Sequence, residues 1–203
     1  MSPRGPCPRI LVVEDDADHR DLICEALSLA YGPQAAGQVT GVATGRECLC
    51  QELDRFDAVL LDYHLPDIDG LDLLGTLGKQ WDVPVVLVTG ENDAEVAAEA
   101  LRRGAQDYLV KLGDYLFAIP VVVDKSIRQH RIRRENERLR SDLEDALAQL
   151  RAKNAELQRS LDEVRRLAAT DHLTHLPNRR QFLRELERCY GAATRYGHDL
   201  TCA

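Results

Sequence analysis

Residues 56–70 read FDAVLLDYHLPDIDG. Ala58-Val59-Leu60-Leu61 is an apolar run that ends in an acid, Asp62. A loop with Pro66, Asp67 and Asp69 separates it from Gly70. An unbroken apolar run of this length, closed by turn residues, suits a strand covered on both faces, as in a parallel sheet. A carboxylate at the end of such a strand asks for a use.

The surrounding 120 residues alternate in the same way. Arg9–Val13 (RILVV), Gln38–Ala43, Asp57–Leu61, Val83–Val88 and Asp107–Val110 read as strands. Between them Asp18–Ala30, a helix opened by a Thr44–Glu47 capping box, Gly70–Gly78 and Asp93–Arg103 carry helical spacing, the last closed by Gly104. Five such units predict an α/β fold: a five-stranded parallel sheet, doubly wound and flavodoxin-like, with helices on both faces. Ligands in such sheets bind beyond the carboxyl ends of the strands.

The chain has 203 residues, 44% hydrophobic and 30% charged, with a formal net charge of −8. No apolar run approaches the ~20 residues of a membrane span. The N-terminus MSPRGPCPR has no apolar core of a signal peptide, so a cytoplasmic location is expected. The cysteines at 7, 24, 48, 50, 189 and 202 lack zinc spacing and read as reduced core or surface thiols. Charge is uneven: residues 1–120 carry 9 Lys/Arg against 21 Asp/Glu, and residues 121–203 carry 17 against 13. Two kinds of segment are implied.

The second begins at Pro120, read as the first turn of a helix. No glycine or proline follows until Pro177. A helix to about Ala169 would be roughly 75 Å long and needs a partner for one face. Ile132, Asn136, Leu139, Leu143, Leu150, Asn154, Leu157, Leu161, Val164 and Ala168 form a three-four stripe, predicting a parallel coiled-coil homodimer. Packing of the helix back on its own domain is the alternative. Leu147 competes with Ala146 for the stripe, which makes a stutter.

Strand tips carry the candidate chemistry. The first ends in Glu14-Asp15-Asp16, the third in Asp62, the fourth in Thr89, and the fifth runs into Lys111. Acids on adjacent tips suit Mg²⁺. A hydroxyl and an ammonium beside them suit a phosphoryl group, and the central Asp62 is the candidate nucleophile, able to form an acyl phosphate.

ILVVEDD, LLDYHLPDIDG, VVLVTG and GAQDYLVK, in this order, resemble the receiver domain of two-component response regulators over about residues 8–135. The resemblance implies that Asp62 is the phosphoacceptor for a histidine kinase. It implies that Asp15, Asp62 and the backbone carbonyl of His64 hold Mg²⁺, with Glu14 acting through water. Thr89 is implied as the switch hydroxyl, Lys111 as the phosphate-pairing lysine and Tyr108 as the switch aromatic. His64 is also placed to modulate phosphoryl lifetime, with plain loop polarity as the other reading. The family's lysine is commonly followed by proline. Here Leu112-Gly113 follows, so a differently shaped loop into the last helix is expected.

AATDHLTHLPNRRQFLRELER, residues 168–188, resembles the opening of a diguanylate cyclase (GGDEF) domain through Asp171, Leu173, Thr174, Leu176, Asn178, Arg179 and Arg180. The expected organisation is a receiver over 1–119, the last receiver helix and coiled-coil stalk over 120–169, and the start of the cyclase domain over 170–203. The full-length protein is implied to make cyclic di-GMP from two GTP. This chain ends before the catalytic signature, so it is expected to be inactive as a cyclase, and GTP is a partner of the longer protein only. Phe182, Leu183 and Leu186 are expected to form a helix with an exposed apolar face or to remain partly disordered. Two alternatives are a dimerisation or scaffold module and a DNA-binding regulator using the basic helix 128–140. Glu135 and Glu137 interrupt that basic run, and neither nucleic acid nor membrane is expected as a partner.

Overall fold

The computed structural model describes residues 8–35, 37–90, 94–169 and 176–197 and the single positions 171, 174, 199 and 201. Readings that rest on Cys7, Asp93, Leu173, Cys202 and the Ala168 side chain lie outside the described residues. Two compact units are present, Met1–Glu137 and Arg138–Ala203.

The first unit is the predicted α/β fold. Strands β1 (Ile10–Val13), β2 (Val39–Val42), β3 (Ala58–Asp62), β4 (Val85–Thr89) and β5 (Asp107–Val110) form one sheet in the order β2-β1-β3-β4-β5. Every pairing is parallel. Successive side chains leave opposite faces of a strand, and the β1 residues divide accordingly. Ile10 and Val12 join Ala58, Leu60, Val86 and Val88 on one face. Leu11 and Val13 join Val59, Leu61, Val85 and Leu87 on the other.

Each face is closed by helices whose apolar spacing matches it. Ile23 and Leu27 of α1 (Ala17–Tyr31) and Ile119, Val123 and Ile127 of α5 (Tyr115–Ala169) cover the first. Cys48 of α2 (Gly45–Leu49), Leu73, Leu74 and Leu77 of α3 (Gly70–Gln80) and Ala100 of α4 (Ala94–Arg102) cover the second. Burying a leucine of this kind contributes about 1.5–3 kcal/mol. That gain carries α3 past the expected stop at Gly78 to Gln80, despite the helix cost of Gly75 and Gly78. The Cys48 thiol belongs to this core, and burial pushes its pKa up to about 12; Cys24, Cys48, Cys50 and Cys189 are all free thiols.

Caps set the turns nearest the strand tips. Asp16 accepts from the backbone N–H groups of Asp18 and His19 and starts α1. Thr44 Oγ1 accepts from Glu47 N, while Glu47 Oε2 accepts from Ala43 N, one residue before the cap. Asp69 accepts from Leu71 N and starts α3.

The last helix of this unit starts at Tyr115, five residues before the expected start. Pro120 lies inside it. The first-turn rule for proline pointed to the wrong turn, because burial of Ile119 and the packing of Leu116 hold the preceding turn helical.

From residue 131 to residue 165 every α5 side chain is exposed. Ile132, Leu139, Leu143, Leu147, Leu150, Leu157, Leu161 and Val164 therefore lie at the surface of this chain. In the second unit Asn178 caps α6 (Arg179–Tyr196) by accepting from Gln181 N, and Phe182, Leu183 and Leu186 stay exposed on it, as the helical option anticipated. Among the described residues no helix is long and apolar enough to cross a membrane.

Candidate functional site

The ends of β1, β3 and β5 meet at the carboxyl edge of the sheet, at the β1/β3 point where strand order reverses. Glu14, Asp15 and Asp62 each offer a carboxylate oxygen there, all within 4.8 Å of one another. Glu14 and Asp62 are 2% and 5% exposed, and Asp15 faces solvent.

Lys111 leaves the end of β5 and sets its Nζ 2.8 Å from Glu14 Oε2 and 3.1 Å from Asp62 Oδ1. Two buried acids this close repel, and one ammonium between them offsets that repulsion. Burial raises the Glu14 carboxyl above its ordinary range, with the hydrogen bond from Lys111 acting against it. Burial opposes the charge on Lys111, but the Glu14 hydrogen bond and the two acids outweigh it, so the ammonium is held above its usual value.

The backbone around the site is tightly positioned. Tyr63 N donates to Asp62 Oδ1 at 2.8 Å. A Cβ at Gly70 would come within 2.6 Å of the carbonyl oxygens of Asp62 and Tyr63, so only glycine lets α3 begin this close to the end of β3. Arg20 Nη1 donates to the carbonyls of Glu14 and Asp15 at 2.8 and 3.4 Å. Asp67 is exposed, yet both of its oxygens are engaged. Its two oxygens accept from Gly45 N and Arg46 N, both at 2.9 Å, and these bonds hold its carboxyl below the usual range. It ties the loop after Asp62 to the start of α2. His64 forms a bridge with Asp69 across that loop and packs its ring edgewise on Tyr63.

Glu14, Asp15, Asp62 and Lys111 are thus brought together. Thr89 ends β4, fully buried, and its carbonyl accepts from Lys111 N at 2.7 Å. Tyr108 is half-buried against the core between the sheet and α3/α4. After Lys111 the chain turns by a bond from Leu112 N to the Val110 carbonyl, and Gly113 adopts φ +56°. The sequence reading missed Arg20, His19 and Tyr115, whose roles come from contacts no local pattern announces. His19 Nδ1 lies 3.9 Å from Glu14 Oε1, and its ring meets that of Tyr115 edgewise at 6.5 Å.

Three hard carboxylate oxygens in reach of one point fit a Mg²⁺ ion. The neighbouring lysine fits an anion held beside it. The basic stretch of α5 has a different character. Arg131, Arg133, Arg134, Arg138 and Arg140 face Asp57, Glu137, Asp82, Asp142 and Glu144 of this chain. A helix whose arginines are matched in this way is a poor phosphate ladder.

A family model described as the response regulator receiver domain matches residues 10–115. The two-component response regulator ORR24 of Oryza sativa subsp. indica is 33% identical over 131 residues, which are 63% of this chain and 19% of that protein. The C4-dicarboxylate transport transcriptional regulatory protein DctD of Pseudomonas aeruginosa is 32% identical over 179 residues, 83% of this chain and 37% of its own. The solved receiver domain of NtrX from Brucella abortus is 32% identical with a TM-score of 0.52, covering 59% of this chain and 98% of that one. The chain therefore spans only 19–37% of the length of these two curated relatives.

Proposed function

The chain belongs to the response regulator receiver domain family, and on that premise we propose that Asp62 takes a phosphoryl group from the phosphohistidine of a histidine kinase. One observation carries the reading: Glu14, Asp15, Asp62 and Lys111 converge at the carboxyl edge of the sheet. An Asp62 oxygen attacks phosphorus, an O–P bond forms, and the N–P bond of the donor breaks. The leaving imidazole keeps the electron pair and takes up a proton. Lys111 pairs with one phosphoryl oxygen, and the Thr89 hydroxyl donates to another. Glu14, Asp15, Asp62 and the His64 carbonyl would hold Mg²⁺, which when bound supplies positive charge against the repulsion between the acids and the incoming anion.

The signal is read out through Thr89 and Tyr108 and passed along α5, which pairs with a second copy as a parallel coiled coil. Support comes from the exposed apolar stripe from Ile132 to Val164. The output of the longer protein is cyclic di-GMP synthesis from GTP, on the resemblance of residues 168–188 to the start of a cyclase domain. In that segment Asp171 Oδ1 accepts from Thr174 N and Oγ1, and Asn178 N donates to the Ala169 carbonyl.

The test is incubation with acetyl phosphate and Mg²⁺ followed by mass spectrometry. One phosphoryl group on Asp62 is expected, and none on Asp62→Asn. An unmodified wild-type chain would remove the proposal.

A further inference from the structure

Tyr115 is the first residue of α5. Its phenol oxygen exposes less than 1 Å² and, among the described residues, has no hydrogen-bond partner. A buried hydroxyl in that condition carries a desolvation cost that nothing offsets, and such a group calls for a reason. The position of the ring supplies one. It meets the His19 ring edge-on at 6.5 Å, and the same His19 stands 3.9 Å from Glu14. The hydroxyl also feels the charges of Lys111, Glu14, Asp62 and Asp16. An idle donor therefore sits on a ring that His19 links to Glu14, at the root of the helix that leaves the receiver.

In the resting arrangement Lys111 serves Glu14 at 2.8 Å and Asp62 at 3.1 Å. A phosphoryl group on Asp62 adds charge that attracts the ammonium away from Glu14. Glu14, 2% exposed, keeps its role at the cation, but its Oε2 then loses the donor it had at rest. Building on the phosphorylation proposed above, we infer that Tyr115 is a positioning residue whose hydroxyl donates to Glu14 once Lys111 has moved to the phosphoryl oxygen, drawing the first turn of α5 toward the site. This connection is separate from the one assigned to Thr89 and Tyr108, which lies on the β4–β5 side of the sheet. It gives α5 its own report of the state of Asp62.

Tyr115→Phe removes one oxygen and keeps the ring on His19. Because the hydroxyl is idle at rest, the variant should unfold at the same or slightly higher urea concentration in the absence of phosphodonor. Beryllofluoride with Mg²⁺, as a stand-in for the phosphoryl group, should bind the variant roughly five- to tenfold more weakly, the worth of one hydrogen bond. Hydrogen exchange over residues 115–127 should slow on beryllofluoride binding in the wild type and respond clearly less in the variant. A variant that is markedly less stable at rest would mean the hydroxyl is already partnered, and overturns the inference. So does a variant with unchanged beryllofluoride affinity and unchanged exchange response. If the wild type itself takes no phosphoryl group from acetyl phosphate, the functional reading fails instead; if it does, only Tyr115 is being judged.

Discussion

Lys111 holds its ammonium 2.8 Å from the Glu14 carboxylate across 97 residues of sequence. The bond joins β5 to β1, and Asp62 of β3 lies 3.1 Å from the same nitrogen. Removing the lysine leaves two buried acids facing each other. Lys111→Met should destabilise the metal-free protein by about 2–4 kcal/mol at pH 7, as when one partner of a buried pair is lost. The pH dependence has a definite sign. Burial raises the Glu14 carboxyl above its ordinary 4.5, so its contribution to stability is present below pH 4.5 and is lost as pH rises through the folded value. The variant should therefore approach the wild type at acid pH and diverge above it. Urea titrations between pH 4 and 8, without divalent ions, would show this. A pH-independent difference would contradict it.

Gly70 borders the end of β3 so closely that an added methyl meets backbone oxygens at 2.6 Å, and no side chain can swing aside to admit it. Gly70→Ala should cost about 1–3 kcal/mol through forced backbone shifts. It should also slow acetyl-phosphate labelling of Asp62 more than Gly75→Ala does, because a Cβ at Gly75 meets nothing within 4 Å. Equal stability and equal labelling of the two variants would be the contrary result.

His130 reports on the docking of α5. It is 6% exposed, with Nε2 3.1 Å from the Asp82 carbonyl, while Arg133 approaches Nδ1 at 3.0 Å. Arginine can only donate, so Nδ1 accepts and the ring proton on Nε2 goes to Asp82. Burial then lowers the pKa of His130 below its ordinary 6.5, against the pull of Asp82. The stability it supports is present above pH 6.5 and declines as pH falls toward the folded value. His130→Gln should flatten the stability profile between about pH 5 and 7 and cost about 1–3 kcal/mol at pH 7.5. A slope that survives the substitution would reassign the effect to other groups.

The stripe on α5 predicts a partner. Leu143→Glu combined with Leu150→Glu places like charges where two apolar seams would meet, and both positions are exposed in this chain. Light scattering should show the wild type as a dimer and the double variant at half that mass, with circular dichroism losing helix. Beryllofluoride labelling of the receiver should survive, because residues 143 and 150 lie in the second compact unit. A wild type that already runs as a monomer would argue against the coiled coil.

Much of the receiver was legible in the sequence because its determinants are local. Unbroken apolar runs such as Ala58–Leu61, the capping box at Thr44 and the leucine spacing of α3 each depend on residues within a few positions of one another. The acids at the ends of β1 and β3 and the lysine after β5 could be nominated for the same reason: strand ends in a parallel sheet share an edge. Boundaries were less legible. Pro120 read as a helix start, yet tertiary burial of Ile119 and the packing of Leu116 extend α5 back to Tyr115.

The sequence by itself determined which segments are strands and helices, which faces of them are apolar, and which residue types stand at the strand tips. Only the tertiary structure decided that Lys111 bridges Glu14 and Asp62, that Asp67 clamps the start of α2, that Arg20 holds the carbonyls of the acidic turn, and that the Tyr115 hydroxyl has no partner among the described residues. The physical reason is range. Periodicity and capping are settled by neighbours along the chain, whereas hydrogen bonds and desolvation at the site depend on sheet register and helix docking that bring together residues as much as 97 positions apart.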